Sequence, residues 1–278
     1  MPAALLPDRA LIRLSGPDAE KFLQNLITTD LDSLPQGEAM PAALLTPQGK
    51  IQFAFMIWRD GADFIVDTQA SNAEAMSKRL AMYKLRSKVE ISNEPSDGVT
   101  VTWGDIAGDD AVVDMRFAAA GIPVMRQAGK HGDYTIEGYH ALRVLAGVPE
   151  TPFDFALDDV YPHDVMMDLN AGVSFKKGCY VGQEVVSRMQ HRGTARRRLV
   201  IVTAEAPLPA AGTEITAGGK PLGTLGTIAG KRGLSIVRID RAGDAMASDT
   251  PILAGKVPVA LTLAGWTGLS FPQPSEES

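Results

Sequence analysis

The only cysteine of the chain, Cys179, is the residue whose type and surroundings most directly suggest chemistry. It stands in the run K-K-G-C-Y-V-G-Q-E at 176–184, where Gly178 and Gly182 bracket the thiol. Glycine tolerates positive φ and close backbone approach, so the run predicts a tight loop that presents the thiol at a surface. Nearby lysines and arginines favour the thiolate, the nucleophilic and metal-binding form. A lone cysteine is more often a small buried hydrophobe, and exposure decides between the two interpretations.

Charge is concentrated in the same region. Residues 176–198 contain seven Lys or Arg residues and one acidic residue, a net charge of +6 in a chain whose total is −6, so the remainder carries −12. The cations are Lys176, Lys177, Arg188, Arg192, Arg196, Arg197 and Arg198. Such a concentration predicts that an anion binds here. A basic run is about as often a solvated face or a crevice between lobes.

The inventory of metal-binding residues is small. Iron–sulfur clusters are typically held by about four ligands, mostly cysteines, whereas this chain has one cysteine and four dispersed histidines. No zinc-binding spacing occurs, so no metal site is predicted within the chain alone. If the chain contacts a cluster, Cys179 would supply one ligand and a partner or second subunit the others.

Composition and the N-terminal sequence predict the cellular setting. No run of about 20 apolar residues is present, so no membrane span is predicted. The first residues show neither a secretory nor a transit pattern, and one cysteine cannot form an internal disulfide. These features predict a cytoplasmic protein.

Hydrophobic periodicity and turn residues predict the elements that position the loop. Helices are expected after Ser15-Gly16-Pro17-Asp18, from Ser71 with a Ser71/Glu74 capping box, and at 138–146 ending at Gly147. The predicted strands before the loop are 10–14, an antiparallel meander over 38–67, 84–90, 99–103, 112–117, 121–124 and 134–137. The segment 184–189 is too short for periodicity to distinguish a helix from a strand.

Composition changes after Arg198, where short strands alternate with Gly and Pro turns, which predicts a small β-barrel. The predicted fold class is α+β. The predicted organisation is a composite region over 1–198 that ends in the cysteine loop, the barrel over 199–272 and a disordered tail over 273–278.

A resemblance extends these inferences. The run at 176–184, with S-F before it and R-G-T-A-R-R-R-L after it, closely resembles the signature of YgfZ-type folate-binding proteins. These are relatives of the glycine-cleavage T-protein, an aminomethyltransferase, and are implicated in maintaining iron–sulfur enzymes. Secondary matches are S-G-P-D-A-E-K-F-L-Q-N-L-I-T-T-D near the start, T-P-Q-G-K at 46–50, Y-K-L-R-S-K-V at 83–89 and L-A-G-V-P at 145–149.

The resemblance implies a three-lobed GcvT-like ring, with two α+β lobes, a C-terminal β-barrel and a folate in the central opening. It implies tetrahydrofolate or a derivative as cofactor and Cys179 as the catalytic thiol. The cofactor-binding residues it suggests are Tyr139, Lys177, Arg192 and Arg198. Two positions depart from T-proteins: Leu145 replaces a glutamate that bonds the pterin, and Glu74 stands near the position of a catalytic aspartate.

Three functional hypotheses follow from the resemblance. The favoured one is a folate-binding accessory factor that supports assembly or repair of iron–sulfur enzymes, with folate and those enzymes or assembly proteins as partners. The second is a tetrahydrofolate-dependent one-carbon transferase. The third is a non-catalytic adaptor for an RNA-modifying enzyme, which would give an indirect link to tRNA modification.

Overall fold

The structure, a computed structural model, describes residues 2–104, 110–131 and 135–272. The predicted tail, 273–278, and Tyr134, the first residue of the strand predicted at 134–137, lie outside the described residues.

A nine-stranded sheet carries both α+β lobes, in the order β1-β7-β9-β8-β3-β4-β5-β2-β6. Its strands are β1 (Ala3–Leu6), β2 (Arg9–Ser15), β3 (Glu38–Leu45), β4 (Ile51–Asp60), β5 (Asp63–Gln69), β6 (Glu90–Glu94), β7 (Val99–Trp103), β8 (Val112–Asp114) and β9 (Val124–Ala128). All pairs are antiparallel except β3 with β8, which joins the two halves. The α+β class and the predicted meander over 38–67 are therefore confirmed.

Helices cover this sheet, and strand alternation decides which core each side chain joins. The helices are α1 (Ala19–Gln24), α2 (Ala70–Lys84), α3 (Met115–Ala118), α4 (Ile136–Ala146) and α5 (Gln183–Arg192). On β4, Phe55 and Ile57 pack in the core that includes α1 and α2, whereas Met56 and Trp58 pack in the core that includes Tyr139 of α4. One strand thus supports both lobes through its two faces.

A seven-stranded sheet forms the C-terminal unit, in the order β15-β14-β11-β12-β13-β10-β16. Its elements are β10 (Arg197–Thr203), β11 (Glu214–Ala217), β12 (Lys220–Ala229), β13 (Arg232–Arg238), α6 (Ile239–Ala247), β14 (Ile252–Ala254), β15 (Val257–Pro258) and β16 (Ala260–Thr262). The strand-rich character predicted after Arg198 is confirmed, but α6 was not predicted.

Several predicted elements are wrong. The capping box at Ser71 does not form, because β5 runs directly into α2 with Gln69 at the cap position. Residues 84–90 are not a strand, since α2 continues to Lys84 and β6 begins at Glu90. At 112–117 the strand stops at Asp114, whose side chain accepts the backbone N–H of Arg116 and caps α3.

Two further strand predictions, 121–124 and 134–137, are displaced. The strand is β9, at Val124–Ala128, and Glu137 lies in the first turn of α4. The predicted end of α4 is confirmed, because Gly147 follows it with φ 67°, the left-handed conformation that glycine adopts at helix ends. Short segments between turns were assigned by propensity alone, which tertiary packing overrode.

Candidate functional site: the Cys179 loop and the central cavity

Cys179 is exposed on the loop that precedes α5, so the predicted surface thiol is confirmed. Its neighbours Lys177 and Tyr180 are both buried. The Lys177 ammonium lies 5.5 Å from the centre of the Tyr180 ring, a cation–π contact. The loop therefore holds its thiol in solvent while the residues around it anchor the backbone to the protein.

The segment 27–29 forms one anchor of this loop. Lys177 Nζ donates hydrogen bonds to the carbonyl oxygens of Ile27, at 2.9 Å, and Thr29, at 2.7 Å. The hydroxyls of Thr28 and Thr29 donate to the carbonyl oxygen of Gly172, at 2.6 and 3.1 Å. Burial lowers the pKa of Lys177 to about 8, which nearby carboxylates oppose only in part. Ordering of the loop thus depends on a sequence motif about 150 residues away.

The turn at 46–50 forms a second anchor. A Cβ atom on Gly182 would lie 2.5 Å from the Thr46 carbonyl oxygen and 3.1 Å from Gly49 Cα, and Gly182 has φ +79°. A Cβ atom on Gly49, which has φ +80°, would lie 2.9 Å from the Cβ of Val185 in α5. Only glycine fits at both positions, because any side chain would clash and L-residues rarely adopt this φ. The T-P-Q-G-K turn and the cysteine loop therefore pack tightly against each other.

Three of the seven cations in the basic run at 176–198 form ion pairs with carboxylates. Its ion pairs are Arg188 with Glu184, Arg197 with Asp159 and Arg198 with Asp168. Arg198 is buried, and its Nη1 also donates to the carbonyl oxygen of His163 at 2.7 Å. Arg192 is exposed in the last turn of α5. The cations that face solvent are thus fewer than the sequence count suggests.

A central cavity lies between the lobes, and about 60 Å³ of it is accessible to the centre of a water-sized sphere. Its walls are mostly apolar and come from β3, β4 and the segment 148–170, with Phe55 and Phe155 as the aromatic members. Its polar members are Arg9, Arg116, Glu150, Thr151 and Asn170. Asn170 begins the segment that continues into the cysteine loop, so one stretch of chain contributes to both sites.

Behind the cavity wall lies a buried network of three arginines and three carboxylates. Its members are Arg9, Arg116, Arg126, Asp67, Asp114 and Glu150. The three positive and three negative charges balance. Each carboxylate accepts from at least one guanidinium, so the buried groups are also hydrogen-bonded. This pairing allows Arg9, Arg116 and Glu150 to stand at the edge of an apolar cavity.

Glu150 is the acidic group in the cavity wall. Its Oε2 accepts from Arg116 Nη1 at 3.0 Å and from the Tyr139 hydroxyl at 2.6 Å. Burial by itself would raise the pKa of Glu150, but Arg116, Arg143 and Arg9 more than offset it, so the pKa is lowered and the group stays ionised. Within the described part of the chain, both side-chain bonds of Glu150 end on Oε2. Its Oε1 is therefore left to accept from a ligand.

The four predicted cofactor-binding side chains do not belong to this wall. Tyr139 is 0% exposed and reaches the cavity through Glu150 and Arg116, which both bond its hydroxyl, while Lys177 and Arg198 are held by the backbone carbonyls described above. Among the described residues the cavity contains none of the four, and their binding roles stay predictions.

The two positions that depart from T-proteins also lie elsewhere. Leu145 is 55% exposed and lines a separate groove beside Trp266. Glu74 is exposed on α2 and forms an ion pair with Lys78. Sequence reasoning missed Arg116 and Glu150. The position of Glu150 directly after the helix-ending G-V-P was the one available signal.

Over residues 2–104, 110–131 and 135–272, no group of three or more His, Cys, Asp or Glu side chains is arranged to hold a metal ion. Within those same ranges, no helix combines the length and apolar character needed to cross a bilayer.

Comparison with solved structures supports the fold. The crystal structure of glycine cleavage system aminomethyltransferase T from Bartonella henselae matches 94% of this chain and 84% of its own, with a TM-score of 0.69 and 16% identity. The family model described as the CAF17 C-terminal beta-barrel domain matches residues 196–269. The T-protein-like fold with a C-terminal β-barrel is therefore confirmed.

Curated relatives are similar over much of the chain. The mouse protein named iron-sulfur cluster assembly factor IBA57, mitochondrial, is 32% identical, over 84% of this chain and 76% of its own length. The human protein of that name is 30% identical over the same shares. A homolog from Neurospora crassa is 32% identical over 70% of this chain, which spans about half of that relative's length.

These relatives correct one prediction and establish the family. All three are named as mitochondrial proteins, which overturns the prediction of a cytoplasmic protein. The absence of a recognised N-terminal pattern was a weak guide to location. With about a third of its residues identical across most of the mouse and human proteins, the chain belongs to the family of the iron–sulfur cluster assembly factor IBA57.

Proposed function

We propose that this chain is an accessory factor in the assembly or repair of iron–sulfur enzymes, and that Cys179 contacts the cluster in transit. The observation that carries the proposal is an exposed thiol on a loop anchored by two distant segments. The relatives' names support the same conclusion. A cluster needs about four ligands, so Cys179 would supply one thiolate and a partner protein the rest.

The fixed backbone matters for this role. Lys177 and Gly182 hold the loop from either side, so the thiol reaches a partner without the entropic cost of first ordering the loop. An exposed thiolate can bind iron and can also release it to an acceptor. Transfer between proteins requires both properties.

Replacement of Cys179 by alanine tests the proposal. In cells that lack their own copy of the gene, the Cys179→Ala protein should fail to restore the activity of iron–sulfur enzymes, whereas Lys176→Ala, an exposed neighbour in the same loop, should restore it. Both variants should melt like the wild type, because neither side chain is buried. Full restoration by Cys179→Ala would refute a role for the thiol.

We also propose that the central cavity binds tetrahydrofolate or a derivative, as in the YgfZ-type proteins that the sequence resembles. The cavity fits such a ligand in two respects: its apolar walls suit flat rings, and Glu150 Oε1 can accept N–H groups of a pterin. When bound, folate would supply one-carbon chemistry. Tyr139 would orient Glu150 through its hydroxyl, and the exposed Arg192 is the remaining candidate for the glutamate tail.

Thermal unfolding tests the folate proposal separately. Tetrahydrofolate at about 100 times its Kd should stabilise the folded state by about 2.7 kcal/mol. Glu150→Gln, compared with its own ligand-free form, should lose most of that increase in Tm, whereas Glu74→Gln, an exposed carboxylate on α2, should keep it. An unchanged Tm at all concentrations, or an equal increase in Glu150→Gln, would contradict folate binding through this group.

The alternative functions have less support. A one-carbon transferase needs a general base in the cavity, and Glu74, the position considered for it, is exposed and paired with Lys78. An adaptor for an RNA-modifying enzyme needs many exposed cations, but Lys177 and Arg198 of the basic run are buried. Arg188 and Arg197 are paired with carboxylates, which leaves Lys176, Arg192 and Arg196 as the remaining exposed cations of the run. A link to tRNA modification would then be indirect, through the iron–sulfur enzymes that the factor serves.

A further inference from the structure

A second groove, here called the α1–α2 groove, lies between α1 and the end of α2. Its apolar members are Phe22, Leu26, Tyr83 and Leu85. Phe22 and Leu26 belong to the lobe core and form a fixed base. The groove is separate from the central cavity, since the two share no lining residue.

Leu85 is the most unusual residue of this groove. Its side chain is 90% exposed, and its backbone has φ 44° and ψ −104°, a conformation that non-glycine residues rarely adopt. Holding leucine there costs free energy that its own packing cannot offset, because the side chain contacts little of the chain. A leucine in this position does not stabilise the isolated protein, which indicates that its side chain contacts another molecule.

The turn that presents Leu85 is held in place. The Asp18 carboxylate accepts the backbone N–H of Lys88 at 2.7 Å, and the backbone N–H of Asp18 donates to the Lys88 carbonyl at 3.4 Å. These bonds tie the segment after Leu85 to the start of α1. The groove is therefore preformed, which reduces the entropic cost of binding.

Charge indicates the kind of partner. Residues 78–88 contain five Lys or Arg and no Asp or Glu, in a chain of net charge −6. Arg86 lines the groove from this segment, and Lys21 of α1 lines it from the other side. Both are exposed. Asp18, the acidic lining residue, is already engaged by the backbone N–H of Lys88. An apolar base with cations on opposite rims is complementary to a segment that alternates apolar and acidic residues.

We propose that the α1–α2 groove docks an acidic amphipathic segment of a partner protein. The apolar residues of that segment would pack against Leu85, Tyr83 and Phe22, and its carboxylates would pair with Lys21 and Arg86. This is the helix-in-groove mode of recognition. The proposal depends on neither Cys179 nor the central cavity.

Peptide binding to the full chain tests the proposal. The probes are fluorescently labelled synthetic helices with leucine at i, i+3, i+4 and i+7 spacing and glutamate elsewhere, together with lysine-for-glutamate and scrambled versions. Anisotropy should show binding of the acidic amphipathic helices alone, weakened by added salt. Leu85→Ser and Arg86→Glu should each weaken it about tenfold or more. Met82→Ser, which removes a 69% exposed side chain of α2 outside the groove, should leave it unchanged.

A glycine variant separates binding from folding. Leu85→Gly relieves the unfavourable backbone conformation, so Tm should not fall, while binding should be lost. The proposal is overturned if no acidic amphipathic helix binds, or if the lysine versions bind equally well. It is also overturned if Leu85 instead governs binding to vesicles of phosphatidylcholine and phosphatidylglycerol, to single-stranded RNA, or to a second copy of this chain in sedimentation.

Discussion

Replacing Arg126 by methionine should strongly destabilise this protein. The Arg126 side chain has no solvent exposure, and its Nε and Nη1 donate to Asp67 Oδ2 at 3.0 Å and Asp114 Oδ2 at 2.9 Å. Burial lowers the pKa of Arg126, but the two carboxylates raise it further, so the group remains charged. Methionine fills much of the same volume without a charge. Asp67 and Asp114 would keep only Arg9 and Arg116, and the buried network would hold one uncompensated negative charge.

The expected cost is about 3–5 kcal/mol, the usual effect of removing one partner from a buried ion pair. For a chain of 278 residues this corresponds to a decrease in Tm on the order of 10 °C. The defect should depend on pH. Without Arg126, the folded-state pKa of Asp114 is higher than in the wild type. The folded variant therefore takes up a proton more readily at acidic pH and recovers part of the lost stability, which it loses again as pH rises. The difference from the wild type should therefore be smallest at acidic pH.

Urea and thermal unfolding between about pH 5 and pH 8 would measure these effects. Arg13→Met is a matched control, because Arg13 binds three carboxylates, one more than Arg126, but is 26% exposed at its side chain. Solvent screening should limit its cost to roughly 1 kcal/mol. Equal destabilisation by the two substitutions, or an Arg126→Met defect that grows toward acidic pH, would refute the argument from buried charge.

Two further predictions concern the cysteine loop. Gly182→Ala should cost about 2 kcal/mol or more and impair cluster-dependent function, because its Cβ would lie 2.5 Å from the Thr46 carbonyl oxygen at positive φ. Gly178→Ala, whose Cβ would meet nothing within 4 Å, should fold like the wild type. Equal Tm values for the Gly182→Ala and Gly178→Ala proteins would contradict the tight packing of the cysteine loop against the turn at 46–50. The pKa of Lys177 is about 8 when folded and 10.5 unfolded, so the unfolded chain binds more protons and stability rises with pH in that window. Lys177→Met should remove this rise, and a wild-type-like slope in urea titrations would refute it.

Local rules predicted a substantial part of the fold. The turn at 46–50, the end of α4 at Gly147 and the short strands after Arg198 follow from turn chemistry, helix capping and alternation, which depend on residues close in sequence. The exposed loop around Cys179 follows in the same way from its flanking glycines. The motif match at 176–184 also identified the T-protein-like fold, because a long contiguous signature constrains far more than its own residues.

The tertiary structure alone decided how distant segments meet. Lys177 is one of many lysines in the sequence, and only folding places it against carbonyls of residues 27 and 29 instead of in solvent. Arginine and glutamate usually lie at the surface, yet the structure buries Arg116, Arg126 and Glu150. Burial of a charge is favourable only when an opposite charge arrives from elsewhere in the chain, and local sequence patterns carry no record of that pairing. The sequence therefore predicted the exposed thiol but not the residues that line the cavity.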